Sequence, residues 1–131
     1  MRIVTDTSIL LAVALEEPER DVIIKLTQEA QLIAPEVLPF EVGNALSSLF
    51  RRNLLDETGV LQVWNYIQRI PIDLRSVNIQ HALQIAIKYR IYAYDAYFLS
   101  CATTLRVPLM SLDRKMISVA RQSGIKVLEV D

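Results

Sequence analysis

Short apolar stretches alternate along this chain with segments of helical spacing, and no other feature constrains the fold as much. Strands separated in sequence by helices pair in parallel, and the crossover helices then cover both faces of the sheet. The strand candidates are residues 2–5, 32–34, 71–74, 107–111 and 126–128. Between them, helical spacing covers residues 9–15, a segment opened by Pro18, residues 36–53, a segment opened by Asp56-Glu57-Thr58, and residues 77–90, 94–105 and 114–122. Pro18 and Pro39 suit a first helical turn, where the missing N–H costs nothing. Residues 94–105 are apolar nearly all round, which predicts a central buried helix. Ile79, Ala82, Leu83, Ala86 and Ile87 share one side of their segment and predict a buried face, and the Val22-Ile23-Ile24-Leu26 cluster predicts core packing. The expectation is an α/β fold of three layers, a short parallel sheet flanked by helices on both faces, in one domain spanning residues 1–131.

Composition narrows the chemistry. The chain has 131 residues, 52% of them hydrophobic, enough for one domain with a core of its own. Lys and Arg number 14 against 15 Asp and Glu, so the net charge of −1 excludes a polybasic nucleic-acid coat. Cys101 and His81 are the only residues of their types, which excludes a disulfide framework and a Cys/His zinc cluster. Any metal must therefore be held by oxygen. Cys101 reads as a small core hydrophobe, His81 as a surface or boundary residue and Trp64 as core or interface. Arg2 and Asp6 interrupt the N-terminus before an apolar signal region forms, and no apolar run approaches the ~18 residues of a membrane span. A cytoplasmic protein is expected.

In three-layer α/β folds, sites form at the carboxyl ends of the strands. Asp6 directly follows the first strand and Asp113 the fourth, where each also suits a helix N-cap. Asp95 and Glu41 lie inside apolar stretches, where an unpaired carboxylate is costly. Asn44 shares the helix face of Glu41. If these four acids converge, a pair ~4 Å apart repels by about 4 kcal/mol at an effective dielectric near 20. Such a cluster raises its own pKa values or recruits a cation. Carboxylates without nitrogen or sulfur partners select hard ions, so Mg2+ or Mn2+ is the expected occupant, and metal-assisted phosphodiester hydrolysis the expected chemistry.

The same residues carry a family resemblance. Val4-Thr5-Asp6-Thr7-Ser8, residues 41–44, Tyr94-Asp95-Ala96 and Ser111-Leu112-Asp113-Arg114-Lys115 resemble, in order, the four signature blocks of PIN-domain nucleases. The length resembles the small VapC-type ribonuclease toxins of toxin–antitoxin pairs, and the resemblance covers essentially the whole chain. It implies a PIN fold and divalent-ion-dependent endoribonuclease activity, with Asp6, Glu41, Asp95 and Asp113 as the acidic catalytic and metal-binding residues. Ser111 stands where the family commonly has Thr and keeps the hydroxyl, while Thr7 and Ser8 become supporting hydroxyls beside the first acid, with Asn44 supporting Glu41. The resemblance further implies RNA as substrate, a homodimer, and a cognate antitoxin whose tail occupies a groove beside the site.

Arg51, Arg52, Arg90, Arg106, Arg114 and Lys115 are the basic rim candidates, with Arg114 and Lys115 favoured as phosphate contacts because they follow Asp113 at once. Tyr92, Tyr94 and Tyr97 suit either base stacking or packing. The main rival is a binding module of the same fold with a weakened site, acting on RNA or protein by contact alone. A DNA-acting or RNA-processing nuclease of the same fold is another, since a carboxylate cluster reads phosphates and not bases. A phosphorelay receiver is set aside, because Asp6 is followed by Thr7-Ser8 and not by a second acid.

Overall fold

Ile3 and Val4 are both fully buried, on opposite faces of one strand, and the fold is built outward from that pair. The computed structural model describes residues 1–130. In chain order the first elements are β1 (Arg2–Thr5), α1 (Thr7–Ala14), α2 (Arg20–Thr27), β2 (Gln31–Pro35), α3 (Leu38–Arg51) and α4 (Glu57–Gln68). They are followed by β3 (Ile72–Arg75), α5 (Ile79–Tyr89), α6 (Ala93–Leu105), β4 (Leu109–Met110) and α7 (Arg114–Gln122). The strands form one parallel sheet in the order β3-β2-β1-β4, with Val4 opposite both Ile33 and Leu109.

Strand alternation sorts the core into two clusters, one on each face. Val4, Ile33 and Leu109 join the larger one, with Val42 and Leu46 of α3, Val63 and Ile67 of α4, and Phe98 and Leu99 of α6. Ile3 and Met110 join the smaller one, with Ile9, Ala12 and Val13 of α1 and Ile23 of α2. The three-layer expectation therefore holds. The central helix is α6, which packs on β1 and β2. Phe98 is fully buried there, and truncating it to alanine is expected to cost about 3–5 kcal/mol.

The structure differs from the sequence pattern in four places. The fourth strand shrinks to Leu109–Met110, because the N–H of Val107 still bonds to Ala102 at the end of α6 and Ser111 turns into the site. The fifth stretch is a single bridge, Val127 to Leu109, since a two-residue strand gives it little edge to pair with. On α5 the buried row is Ala82 with partly buried Ile85, Ala86 and Tyr89, and the helix packs on α6. Ile79, Leu83 and Ile87, expected inside, are exposed along the opposite edge at a spacing of four. On α2 only Ile23 is buried, while Ile24 and Leu26 are exposed, because an eight-residue helix resting mainly on α1 buries one row.

His81 is a boundary residue, half-buried with Nδ1 2.6 Å from Ser100 Oγ. Burial pushes the Cys101 thiol up to about 11, as suits an inert core sulfur. No helix among the described residues is long and apolar enough to cross a membrane.

Candidate active site

All four acids stand at the amino end of a helix. Asp6 and Asp113 are the N-caps of α1 and α7, and Glu41 and Asp95 lie in the first turns of α3 and α6. Unsatisfied backbone N–H groups there favour negative charge.

Asp6 is the buried anchor. Its Oδ1 accepts from Ile9 N at 3.2 Å and from Ser8 Oγ at 2.6 Å, while Oδ2 accepts from Ser111 Oγ at 2.5 Å. The two serines are held in turn, with Ser8 Oγ accepting from Leu112 N at 2.9 Å and Ser111 Oγ from Asp113 N at 3.0 Å. Asp113 is exposed and caps with Oδ1 alone, which accepts from Lys115 N at 2.9 Å and Met116 N at 3.1 Å. Its Oδ2 is left outside the cap. Thr7 Oγ1 donates to Glu41 Oε2 at 3.3 Å, so Thr7 and Ser8 support two different acids. The capping role and the site role thus coexist, because a carboxylate has two oxygens and a cap uses one.

The electrostatics connect the four acids in a ring. Burial raises Asp6, against the hydrogen bonds from Ser111, Ser8 and Ile9, and the charge of Asp113 raises it further. Glu41 is pushed up to about 7, first by burial and then by the charges of Asp95 and Asp6, with Thr7 opposing. Asp95 is raised by burial and by Asp113, with Lys115 opposing. Each acid therefore feels at least one other, and Lys115 is the nearby cation that the apolar sequence around Asp95 does not reveal.

The ring is wider than a finished coordination sphere: among the described residues, no three acid, His or Cys side chains stand close enough to share one ion as placed. The donor chemistry nevertheless fits a hard divalent cation. Every donor is oxygen, three of the acids are raised in pKa, and Asp6 is fixed by a hydrogen-bonded frame that orients it.

Two concavities open beside the ring. A cavity of about 340 Å3 is lined by Thr7, Phe40, Glu41, Asn44, Ala45 and Tyr94. A groove between α1 and α3 runs from Ser8 and Leu112 past Leu11, Leu15 and Leu49. Asn44 is exposed in the wall of the cavity, and Arg114 and Lys115 are exposed in the first turn of α7. Phe40 is the residue that the sequence pattern did not single out. Its apolar neighbours Leu38 and Val42 are buried, yet Phe40 points outward, and its place directly before Glu41 was the available signal.

The PIN domain family model matches residues 3–122. Ribonuclease VapC3 of Pyrobaculum aerophilum is 26% identical over 121 residues, which span 88% of this chain and 92% of that protein. Among solved structures, PAE2754 from Pyrobaculum aerophilum superimposes with a TM-score of 0.73 at 19% identity, covering 97% of this chain and 83% of that one. VapBC2 from Rickettsia felis, solved bound to a DNA fragment from their promoter, gives a TM-score of 0.71 at 14% identity and covers 100% of both chains. At these identities the solved structures demonstrate a shared fold.

Proposed function

Because the chain belongs to the PIN-domain family, we propose that it is a divalent-metal-dependent endoribonuclease, acting in the cytoplasm as the toxin of a toxin–antitoxin pair. The observation that carries this reading is the ring of mutually repelling carboxylates at the amino ends of four helices. Asp6, Glu41, Asp95 and Asp113 would hold Mg2+ or Mn2+. When bound, such an ion offsets the charge of the scissile phosphate and makes a water more acidic.

The chain's own residues do the rest. Ser8 and Ser111 fix the plane of the Asp6 carboxylate, and Thr7 fixes one oxygen of Glu41. Arg114 and Lys115, exposed in the first turn of α7 directly after Asp113, would contact the phosphate backbone. RNA as substrate is supported by the ribonuclease relative. The leucine-lined groove beside Ser8 suits the apolar face of an antitoxin helix. The exposed row Ile79, Leu83 and Ile87 suits a second copy of the chain.

The test is cleavage of mixed RNA and single-stranded DNA with Mg2+, with Mn2+ and with chelator, each beside the Asp95→Asn protein. Metal-dependent cutting of RNA that the variant lacks is the expected result. A folded protein that neither binds metal at these acids nor cuts either polymer would return the site to a binding module.

A further inference from the structure

Two aromatic rings stand open at the edge of the acid ring, each the sequence neighbour of one of its carboxylates: Phe40 before Glu41, and Tyr94 before Asp95. Phe40 is 77% exposed and Tyr94 56%, so packing in the core accounts for neither. Both line the cavity of about 340 Å3 that also holds Thr7, Glu41 and Asn44. Tyr94 is braced, its ring meeting Tyr97 edge-on at 5.9 Å and 87°, and Tyr97 packs on the larger core cluster.

We propose that Phe40 and Tyr94 form a stacking platform for one unpaired nucleobase beside the scissile phosphate, an inference that rests on the ribonuclease reading. Adjacent helical residues project about 100° apart. Each ring therefore opens to the side of its carboxylate, where a base would lie when its phosphate faces the acids. Flat rings stack on any base, and every base has a π-face, so the platform recognises unpaired state more than sequence. Asn44 on the same wall offers amide donors and an acceptor to a base edge. The polar lining of Thr7, Glu41 and Asn44 beside the aromatic residues fits a base better than an aliphatic side chain.

The experiment uses the Asp95→Asn protein, which is expected to leave RNA uncut, with single-stranded RNA oligonucleotides carrying 2-aminopurine at successive positions. One position is expected to lose fluorescence on binding. Phe40→Ala and Tyr94→Ala should each abolish that quench and weaken binding by about 5- to 100-fold. Phe40→Leu should behave like the alanine variant, and Phe40→Trp should restore the quench. Absent binding, binding without a quench at any position, or a quench untouched by both alanine changes would overturn the platform. So would a quench that survives while sedimentation shows an aromatic variant falling from dimer to monomer. Cleavage by the unmutated protein is scored separately. A quench without cleavage sinks the nuclease reading alone, and cleavage without a quench sinks the platform alone.

Discussion

Ser111 Oγ donates a 2.5 Å hydrogen bond to Oδ2 of Asp6, joining residues 105 apart in sequence across the neighbouring strands β1 and β4. Leu112 N closes a second link between the same turns through Ser8 Oγ at 2.9 Å. The acid that follows the first strand is thus aimed by the turn that follows the last. The Ser111 hydroxyl alone makes both contacts, to Asp6 and from Asp113 N.

Removing that hydroxyl should loosen the anchor without removing an acid. Ser111→Ala is expected to cost about 1–3 kcal/mol of stability and about 10- to 100-fold in cleavage. Chemical denaturation and initial cleavage rates measure the two separately. Ser111→Thr should keep most of both, and an alanine variant as active as the parent would mean that Asp6 needs no such positioning.

Asp6→Asn keeps a capping oxygen and removes a charge from the ring. Cleavage should fall by more than about 100-fold, beyond the range for groups that merely orient a ligand. The melting temperature without metal should stay level or rise, since asparagine caps as well as aspartate and repulsion is relieved. Undiminished cleavage would place the active site elsewhere.

Glu41 makes stability depend on pH. Its carboxyl rises from 4.5 to about 7, so between those values the folded chain binds more protons than the unfolded one. Without a divalent ion, that contribution to stability is complete below 4.5 and is lost as pH rises through about 7. Asp6 and Asp95 shift in the same direction. A cation competing with these protons should therefore raise the melting temperature more as pH increases. Thermal scans with and without Mn2+ at about pH 5 and about pH 8 test this. Glu41→Gln should flatten the difference, and a Mn2+ shift equal at both pH values would contradict the ring as the binding site.

Arg114→Ala and Lys115→Ala should each weaken RNA binding at low salt and reduce the steepness of its salt dependence by about one unit. Lys25→Ala, on the exposed side of α2, should change neither. Titrations at several salt concentrations distinguish these outcomes. Equal slopes for all three variants would remove α7 from the path of the backbone.

Much of the architecture was legible because it depends on periodicity. Ile3-Val4 and Leu32-Ile33-Ala34 became adjacent parallel strands, and the nearly all-apolar segment at 94–105 became the helix packed on them. The acids were legible for a different reason, since Asp95 and Glu41 interrupt apolar runs and such interruptions need a cause. What periodicity could not distinguish was which of two apolar rows a helix buries. On α5 the row of Ala82, Ile85, Ala86 and Tyr89 faces the core, and Ile79, Leu83 and Ile87 were left outside. The exposure of Phe40 was not legible either, since it lies among apolar residues whose neighbours Leu38 and Val42 are buried. The last strand was lost to a pairing limit set by the two-residue length of β4.

The caps at Asp6 and Asp113 bear on any search for inactive forms of the protein in living cells. For the toxin proposed above, alanine at either position would remove a helix cap together with a charge, so loss of toxicity and loss of the polypeptide would look the same in a growth assay. Asparagine separates them, because it preserves the turn. A survivor screen would thus recover asparagine variants as abundant, intact chains and alanine variants as scarce ones, and a blot for protein level would divide the survivors into those two groups.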